Sequence, residues 1–365
     1  MTKVLHIFGI MNRGGAELRT ISLMPRLRDR DVHFDFVALS GQRGVLDESL
    51  EQQGSSVHYI KLGFGMFLPL YRLLRSGEYS AIHSHVSLVS GILLLLARVA
   101  GIKIRIAHFR NTTDIEHESL ARRMRNRILK GLIFSHATKV FGVCQGALDG
   151  YWTPEQQQDR RFAVIYNGFE IPSEEAEATF WQGKVGADLH RPIIINVARM
   201  DYQKNHVRQV SIFAEYVKRY GDATMVFVGK ETEQVKQQMV ALAQSLEVED
   251  KLLFLGEQSG VLSLLANADV MLFPSKWEGL PGAVIEAASL GKPVLGSNIP
   301  GIREIANQLS HVVPYPLEDD DGMWAEKLHE CMNPSDTEQQ RMKNFEGSGF
   351  QISVNVESIY TAYTQ

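Results

Sequence analysis

The chain has 365 residues, which is too long for one ordinary hydrophobic core and predicts two domains. Hydrophobic residues make up 44%, charged residues 22% and the net charge is -4, so the basic excess that nucleic-acid binding usually needs is missing and DNA and RNA are excluded as expected partners. The two cysteines, Cys144 and Cys331, lie far apart and give neither a disulfide framework nor a metal-ligand spacing, which fits a reducing cytoplasm.

The start of the chain, MTKVLHIFGI, holds an apolar run too short for a signal peptide and has no small-residue cleavage site, so it predicts a first β-strand. The longest apolar run extends from Ser90 to Ile102, carries Arg98, and is shorter than the ~20 residues that cross a bilayer. We therefore expect a buried helix there and a cytoplasmic protein.

Short apolar segments of β type alternate with helical segments along the whole chain. The first series is KVLHIF, HFDFVAL, VHYIKL, AIHSHV, KIRIAHF, KVFGVC and FAVIYNG, and the second is PIIINVAR, TMVFVGK, KLLFLGE, DVMLFPS, KPVLGSN and HVVPY. This alternation predicts an α/β protein with parallel sheets and crossover helices. Continuous apolar runs such as IIINVA are typical of strands buried on both faces, and ligands bind at the carboxyl ends of such strands.

The predicted fold is therefore two doubly wound, Rossmann-like parallel-sheet domains that face each other across a cleft. The first domain takes residues 1–170. An acidic, alanine-rich interval follows at residues 173–180, the second series begins near His190, and the second domain takes residues 171–349. Helical spacing of apolar residues in 350–365 predicts a closing helix that could return to the first domain.

Two glycines, Gly14 and Gly15, follow the first predicted strand in FGIMNRGGAELR. The pattern is not the dinucleotide fingerprint G-x-G-x-x-G, which argues against a nicotinamide enzyme. Paired glycines can simply form a tight turn. They can also let a loop approach a diphosphate-linked sugar closely, and both interpretations stay open at this point.

A basic amphipathic helix is predicted in HESLARRMRNRILKGLIF, residues 117–134. Such a helix can lie on anionic lipid or meet a lipid pyrophosphate. The other interpretation is a core helix with a solvated charged face. The apolar stripe consists of Leu120, Met124, Ile128, Leu132 and Ile133, and the basic residues around it are Arg122, Arg123, Arg125, Arg127 and Lys130.

Two cations, Arg199 and Lys204, lie in the first strand-to-helix connection of the second series. Arginine can grip phosphate oxygens with two parallel hydrogen bonds, and lysine supplies a compact point charge. Isolated cations in loops are usually only solvated. Beside a second phosphate-binding segment, however, this pair predicts a diphosphate ligand.

That second segment is FPSKWEGLPGAVIEAASLGKPVLG, which places Glu278 and Glu286 eight positions apart. A strand ends near Pro274, and Pro281 with Gly282 suits the first turn of a helix. The N–H groups of a helix start attract phosphate, and an acid further along can accept hydrogen bonds from a ribose diol. Alternatively, both glutamates only complement the helix dipole, which contributes ~0.3–1 kcal/mol at an exposed position.

Taken together, the glycine pair, the two cations and the E-x7-E segment resemble glycosyltransferase family 4, the retaining nucleotide-sugar transferases of GT-B architecture. The resemblance covers essentially the whole chain and includes VIYNGFE, VGK at residues 228–230 and FLGE at residues 254–257. The stretch EGLPGAVIEA is similar to members that build bacterial capsule, exopolysaccharide or lipopolysaccharide chains.

The resemblance implies a donor site in the second domain. Glu286 would bind the ribose of the nucleotide, and Glu278 would bind hydroxyls of the donor sugar. Arg199 and Lys204 would hold the diphosphate. The further donor-binding positions that it implies are the N–H groups of Gly279 and Leu280, the loop of Leu255, Gly256 and Glu257 beside the base, and Gly14 with Gly15.

The resemblance also concerns two positions in the first domain, 108 and 144. His108 matches the place where the family often presents a histidine toward the sugar, although a histidine there could equally be a satisfied core residue. Cys144 stands where relatives commonly have serine, so the sequence departs from the family's pattern at that position. The resemblance gives Glu278, Arg199, Lys204 and His108 as catalytic positions.

The implied reaction moves a sugar, from UDP by default, to a glycan or glycolipid acceptor, and the leaving phosphate itself takes the acceptor proton. The rivals are a nucleotide-sugar epimerase of the same fold and a two-lobed sugar-binding protein; the missing signal peptide and the cation pair argue against the latter. We expect the enzyme to be cytoplasmic, with peripheral contact at the inner face of the cell membrane through the basic helix as a hypothesis.

No divalent metal is expected. A hard cation would need clustered carboxylates at a strand end. The chain contains one Asp-x-Asp motif, Asp29-Arg30-Asp31, but this motif precedes a strand instead of following one. The acidic run Glu318 to Asp321 has no basic or glycine-rich partner in the sequence around it.

Overall fold

The computed structural model describes residues 1–111, 119–170 and 191–365, which form two compact units. Unit 1 comprises Met1–Gly168 and Ile352–Gln365, and unit 2 comprises Phe169–Gln351. The predicted boundaries stand at 170/171 and 349/350, close to these divisions. The acidic interval at residues 173–180 and His190 lie outside the described residues.

Unit 1 contains a parallel sheet of seven strands in the order β3-β2-β1-β4-β5-β6-β7. Its strands follow the alternating apolar segments because a sheet covered by helices on both faces buries every position of a central strand, as β1 shows from Val4 onward. The strands are β1 (Thr2–Phe8), β2 (Val32–Ala38), β3 (Val57–Tyr59), β4 (Ala81–Ser84), β5 (Ile104–Phe109), β6 (Lys139–Gly142) and β7 (Phe162–Val164).

The helices of unit 1 before the domain junction lie between these strands. Among the described residues of the chain, no helix combines the length and the apolar character that crossing a membrane requires. The helices are α1 (Gly15–Ser22), α2 (Met24–Arg28), α3 (Asp47–Gln52), α4 (Phe67–Ser76), α5 (Ser90–Val99), α6 (Leu120–His136), α7 (Gln145–Asp149) and α8 (Pro154–Gln157).

Unit 2 contains a parallel sheet of six strands in the order β10-β9-β8-β11-β12-β13. Its strands are β8 (Ile193–Val197), β9 (Thr224–Val228), β10 (Leu252–Phe254), β11 (Val270–Phe273), β12 (Val294–Ser297) and β13 (Val312–Tyr315). Its helices are α9 (His206–Tyr220), α10 (Glu233–Ser245), α11 (Val261–Ala266), α12 (Gly282–Ser289), α13 (Pro300–Ala306), α14 (Asp321–Cys331) and α15 (Glu338–Glu346). The two-sheet α/β architecture predicted from the sequence is confirmed, and each predicted β segment overlaps one of the thirteen strands found among the described residues.

The closing helix α16 (Ile352–Thr364) belongs to unit 1, where its apolar side packs into the core. Val356, Ile359 and Tyr363 are buried among core residues of the first sheet. The Tyr363 hydroxyl lies 2.6 Å from Nδ1 of His83 and 3.2 Å from Nε2 of His6. The last helix therefore makes polar as well as apolar contacts with the interior of the first sheet.

These contacts are part of a chain of hydrogen bonds whose direction is fixed at one end by Arg110. A guanidinium only donates, so Arg110 Nε donates to His85 Nδ1 over 3.1 Å, and His85 must carry its own proton on Nε2. His85 Nε2 then donates to His6 Nδ1 over 3.0 Å. His6 in turn donates from Nε2 to the hydroxyl oxygen of Tyr363.

Beyond the tyrosine the chain continues in the same direction. The hydroxyl of Tyr363 donates to His83 Nδ1, and His83 Nε2 donates to His108 Nδ1 over 3.1 Å. With every imidazole neutral, the proton of His108 is on Nε2, a buried atom without a hydrogen-bond partner among the described residues. One arginine thus sets the tautomers of four buried histidines.

Burial keeps these histidines neutral. It lowers the pKa of His6 to about 3 and lowers the pKa values of His83, His85 and His108 well below 6.5, and the positive charge of Arg110 acts in the same direction. An unfolded chain would bind a proton at each of them below pH 6.5. The folded chain would not, so its stability must depend on pH.

We predict that the free energy of unfolding falls steeply in mild acid. Folding depresses the pKa values of these histidines, so their contribution to the free energy of unfolding is fully present above pH 6.5. It decreases as pH falls, by roughly 1.4 kcal/mol per pH unit for each histidine. The four histidines together should therefore remove several kcal/mol, on the order of 1 kcal/mol each, between pH 6 and pH 5. Urea unfolding at pH 7.5, 6 and 5 measures this change, and equal free energies at the three pH values would contradict it.

Candidate active site

The loops at the carboxyl edge of the unit 2 sheet are joined by backbone hydrogen bonds. Met200, after β8, donates its N–H to the carbonyl of Lys230, after β9, over 2.8 Å. Gly229 donates in turn to the carbonyl of Gly256, after β10, also over 2.8 Å. The loops predicted to surround the donor are thus connected to one another. They lie at the edge where parallel α/β sheets bind their ligands.

The loops after β8 and β11 lie side by side. The Asn205 side chain donates to the carbonyl of Pro274 over 3.1 Å, and the N–H of Lys276 donates to the carbonyl of Gln203 over 2.8 Å. Asn205 has φ = 57°, a left-handed conformation that asparagine adopts more readily than most residues. The loop that carries the two predicted phosphate-binding cations is therefore held against the loop that carries the first glutamate of the E-x7-E segment.

Lys204 and Glu278 form an ion pair between Nζ and Oε1. Their side chains are only 16% and 9% exposed, so salt screens this pair less than a surface pair. An ammonium carries three N–H donors and a carboxylate carries two acceptor oxygens, so one hydrogen bond between them leaves groups for a ligand. The sequence predicted that these two residues share a site, but it did not predict that they bond to each other.

Arg199 lies in the same loop and is exposed. Its side chain is 73% exposed, and its only ion pair among the described residues joins a guanidinium nitrogen to Asp201 Oδ2 over 3.7 Å. Exposed pairs contribute little stability, so the guanidinium can leave this partner at small cost. Asp201 also accepts a hydrogen bond from the Lys204 N–H over 3.2 Å, which holds the turn between the two cations.

The helix α12 begins where the sequence placed it, between the two glutamates. Pro281 is its N-cap, and the proline side chain accepts no hydrogen bond from the first N–H groups of the helix. Uncapped N–H groups at a helix start attract anions. Glu278 lies in the loop before this start, and Glu286 lies one turn inside the helix, where it is half-buried.

The loop before α12 is packed tightly against the start of α13. A Cβ atom added to Gly301 would lie 1.8 Å from the carbonyl oxygen of Gly279, so no larger residue fits there without moving the loop. Gly279 and Leu280 are both half-buried. The position of this loop, and with it the position of its N–H groups, depends on the glycine at 301.

The third predicted donor-site segment follows β10. Leu255 donates its N–H to the carbonyl of Phe227 over 3.0 Å, and its own carbonyl accepts a hydrogen bond from the Gln258 side chain. Gly256 is half-buried and Glu257 is exposed. The segment belongs to the connected carboxyl edge, and its contact with a nucleotide base stays a prediction.

In unit 1, the glycine pair lies at the start of α1. A Cβ atom on Gly14 would lie 2.2 Å from Oε2 of Glu17, so the carboxylate folds back over this glycine, whereas nothing lies within 4 Å of a Cβ on Gly15. Burial raises the pKa of Glu17. The space at Gly14 therefore has a local explanation, and the predicted contact of Gly14 and Gly15 with a donor stays a prediction.

His108 is buried, with 1% of its surface exposed, and lies inside β5 rather than in a loop. Its role toward a sugar stays a prediction. Sequence reasoning missed Arg110, which follows β5 and is a cation at this edge of unit 1. Its guanidinium donates to Asn167 Oδ1 over 2.7 Å in addition to His85, and burial lowers its pKa to about 10, so it is charged at neutral pH. The sequence signal was present: a lone arginine directly after a buried strand that ends in AHF.

His6, His83 and His85 have ligand atoms within 4.8 Å of one another and could in principle hold a transition metal. Their ring nitrogens, however, already serve the hydrogen-bond chain that begins at Arg110. A metal would need lone pairs that this chain of hydrogen bonds uses, so the two arrangements exclude each other.

Cys144 and Cys331 are buried thiols in different units, and burial raises the pKa of Cys331 to about 11.

The basic helix α6 has much of its apolar stripe in solvent. Leu120, Met124 and Ile128 are 82%, 60% and 58% exposed, whereas Ile133 is buried. The interpretation as a core helix therefore fails for the first half of the stripe. An open groove of about 960 Å³ runs along the helix, and the basic residues that line it are Arg123, Arg127 and Lys130.

Two protein-family descriptions match the chain. "Glycosyl transferase 4-like domain" matches residues 14–168, and "Glycosyl transferases group 1" matches residues 177–345. The capsular polysaccharide biosynthesis glycosyltransferase CapH of Staphylococcus aureus is 31% identical over 341 residues, which cover 91% of each chain. Sequence similarity thus extends through both units.

Two further proteins are similar. The UDP-Gal:alpha-D-GlcNAc-diphosphoundecaprenol alpha-1,3-galactosyltransferase of Escherichia coli is 27% identical over 248 residues, which cover 64% of this chain and 62% of that one. The crystal structure of Anabaena HepE in complex with UDP matches with a TM-score of 0.81 over 99% of both chains, at 18% identity. The similarity to HepE, at this low sequence identity, is a similarity of fold.

We predict that Gly301→Ala destabilises unit 2, because its methyl group would overlap the Gly279 carbonyl. Overpacking of this kind costs about 1–3 kcal/mol, and each kcal/mol lowers the melting temperature of a unit of this size by roughly 2–4 °C. Gly347→Ala is the matched control, since its nearest contact would be an ordinary 3.7 Å. Thermal unfolding of the two variants tests the prediction, and equal midpoints would contradict it.

Proposed function

Because the chain belongs to glycosyltransferase family 4, of GT-B fold, we propose that it is a retaining enzyme that transfers a sugar from UDP to a lipid-linked glycan. Membership of this family rules out the two-lobed sugar-binding protein. The observation that carries the proposal is the meeting of Lys204 and Glu278 beside the uncapped start of α12. Cation, carboxylate and helix N–H groups together match a diphosphate joined to a sugar.

In the proposed complex, the diphosphate lies at the start of α12 and takes one or more of the remaining N–H donors of Lys204. Glu278 keeps its bond to Lys204 through Oε1 and accepts from a sugar hydroxyl through the second oxygen. Glu286 accepts from the ribose diol, and the loop from Leu255 to Glu257 borders the base. Each assignment uses an atom at the carboxyl edge of the unit 2 sheet.

The proposed chemistry is electrostatic. As the bond between sugar and phosphate breaks, negative charge grows on the leaving UDP, and Arg199, Lys204 and the helix start stabilise it. The bond between the anomeric carbon and the acceptor oxygen forms on the same face of the sugar. The acceptor hydroxyl gives its proton to a phosphate oxygen of the leaving group, so no side chain has to act as base.

UDP is proposed because the E. coli relative is named for UDP-Gal and HepE was crystallised with UDP. A role in the synthesis of bacterial capsule or exopolysaccharide is proposed from the likeness to CapH. The lipid-linked acceptor is proposed from the diphosphoundecaprenol in the name of the E. coli enzyme and from the exposed apolar and basic surface of α6. This helix would hold the cytoplasmic enzyme at the inner face of the membrane.

An epimerase of the same fold is the alternative, and a simple incubation separates the two reactions. An epimerase converts a UDP-sugar without an acceptor, whereas a transferase leaves the sugar of the donor unchanged until an acceptor is added. Epimerised UDP-sugar in the acceptor-free reaction would overturn the proposed transfer.

We predict that Glu286→Ala weakens the binding of UDP and UDP-sugars about 10- to 100-fold, because the ribose loses charge-assisted hydrogen bonds. Isothermal calorimetry with the parent and the variant measures the loss. Glu346→Ala, which removes an exposed glutamate at the end of α15, is the control and should bind like the parent. Parent-like affinity of Glu286→Ala contradicts the ribose assignment, and a parent that binds no nucleotide contradicts the proposed function.

Arg199→Ala should lower kcat about 10- to 1000-fold and should weaken UDP binding much less, since its charge is needed most when the leaving group departs. Lys204→Ala should behave similarly, but it also leaves Glu278 without its cation, so Arg199 gives the cleaner test. The control is Lys218→Ala at the opposite end of α9. Equal losses of kcat and of affinity would make Arg199 a binding residue only.

We predict that initial rates persist in excess EDTA. Arg199, Lys204 and the start of α12 offer positive potential to the diphosphate, and a divalent cation would have to share this space against their repulsion. The assay compares rates with EDTA, with added magnesium and with added manganese. Activity that disappears on chelation and returns with either metal would show that the diphosphate is bound in another way.

A further inference from the structure

A second exposed apolar surface lies on unit 1, in the connection from β3 to α4. Phe64 is 96% exposed, Leu68 55%, Leu62 48% and Phe67 40%. We call these four residues the aromatic tip. Single exposed apolar residues are ordinary, but four within seven positions form a patch, and such patches mark interaction sites.

The tip continues into a basic stripe on the same side of α4. Phe64, Leu68, Arg72 and Arg75 follow one another at helical spacing and are all exposed, whereas Leu70 and Leu74 of the opposite side are buried in unit 1. Residues 52–77 contain no aspartate or glutamate. The exposed side of α4 is therefore apolar at its beginning and positively charged toward its end.

The position of the tip is set by the topology of the sheet. In a parallel sheet, every helix that follows a strand begins at the carboxyl edge, so the tip and the first turns of α5 and α6 lie at the same edge. The helix α4 packs against α5, and α5 packs against α6, so the three helices form one layer. The tip and the exposed residues Leu120 and Met124 of α6 thus belong to the same layer and the same edge.

We propose that the aromatic tip inserts into an anionic lipid bilayer while Arg72 and Arg75 contact its headgroups. This inference extends the proposed lipid-linked acceptor, because it would present the carboxyl edge of unit 1 to the membrane. An apolar end followed by arginines matches the order of acyl chains and anionic headgroups along the path into a bilayer. Basic residues next to the apolar ones add attraction for anionic lipid. A purely apolar protein partner would not require these charges.

Vesicle flotation tests the proposal with the full chain. The parent should bind vesicles of phosphatidylcholine with phosphatidylglycerol and should not bind phosphatidylcholine alone. Phe64→Ser with Leu68→Ser should weaken binding to the anionic vesicles at least about tenfold. Arg72→Gln with Arg75→Gln should weaken it as well and reduce its dependence on salt.

The matched control is Val99→Ser. Val99 is 64% exposed and lies at the end of α5, in the same helix layer but at the opposite edge of the sheet, so this variant should bind like the parent. All replaced side chains are exposed, and parent-like melting temperatures verify that the variants fold. Loss of binding in the tip variant together with parent-like binding of the control supports the proposal.

Three results would overturn it: no binding of the parent to anionic vesicles, unchanged binding of the tip variant, or an equal loss in the control. A parent that is dimeric by light scattering and becomes monomeric in the tip variant would assign the tip to self-association instead. Flotation is done without nucleotide, so its outcome is independent of UDP-sugar binding. Failure of the donor assay alone leaves the membrane contact standing, and failure of flotation alone leaves the transfer standing.

Discussion

The ion pair between Lys204 and Glu278 is the interaction on which the proposed donor site depends. It joins the loop after β8 to the loop after β11, two neighbouring strands of the unit 2 sheet, and it is largely shielded from water. Removing either partner of such a pair leaves a charge without compensation, which costs more than an exposed pair is worth. The backbone bonds between the same loops hold the two residues in place before any ligand arrives, so a diphosphate would meet a preformed cation.

Unit 1 is organised by a different constraint, the need to satisfy polar groups inside an apolar sheet. Four histidines and Tyr363 satisfy nearly all of one another's hydrogen bonds, and Arg110 fixes the direction of the chain. Buried polar groups without partners are costly, so this arrangement specifies one set of tautomers and one position of α16. The guanidinium of Arg110 is thereby held in a fixed position at the carboxyl edge of unit 1, as the ammonium of Lys204 is at the carboxyl edge of unit 2.

The sequence predicted the strands well because strands buried on both faces of a parallel sheet are short continuous apolar runs. Several predicted segments were too long at their carboxyl ends; in VHYIKL, for example, the strand ends at Tyr59, since the following residues turn into the edge loops. What the sequence could not predict were contacts between distant positions. Lys204 and Glu278 are 74 positions apart, and His83 meets Tyr363 across 280 positions. Helical periodicity identified the stripe of α6, but periodicity alone does not say whether a stripe faces the core or the solvent.

These contacts also explain why a buried helix can begin between two carboxylates. A free carboxylate beside the start of α12 would compete with any anion for the N–H groups there. Glu278, however, is bonded to Lys204, so its charge is compensated and the helix start stays available to an anion. Glu286 lies one turn further along, beyond the first N–H groups, where an acceptor can meet a diol instead of a phosphate. The two glutamates, which in isolation would repel a diphosphate, are therefore compatible with the proposed donor site, in which a phosphate-binding position lies between two sugar-binding ones.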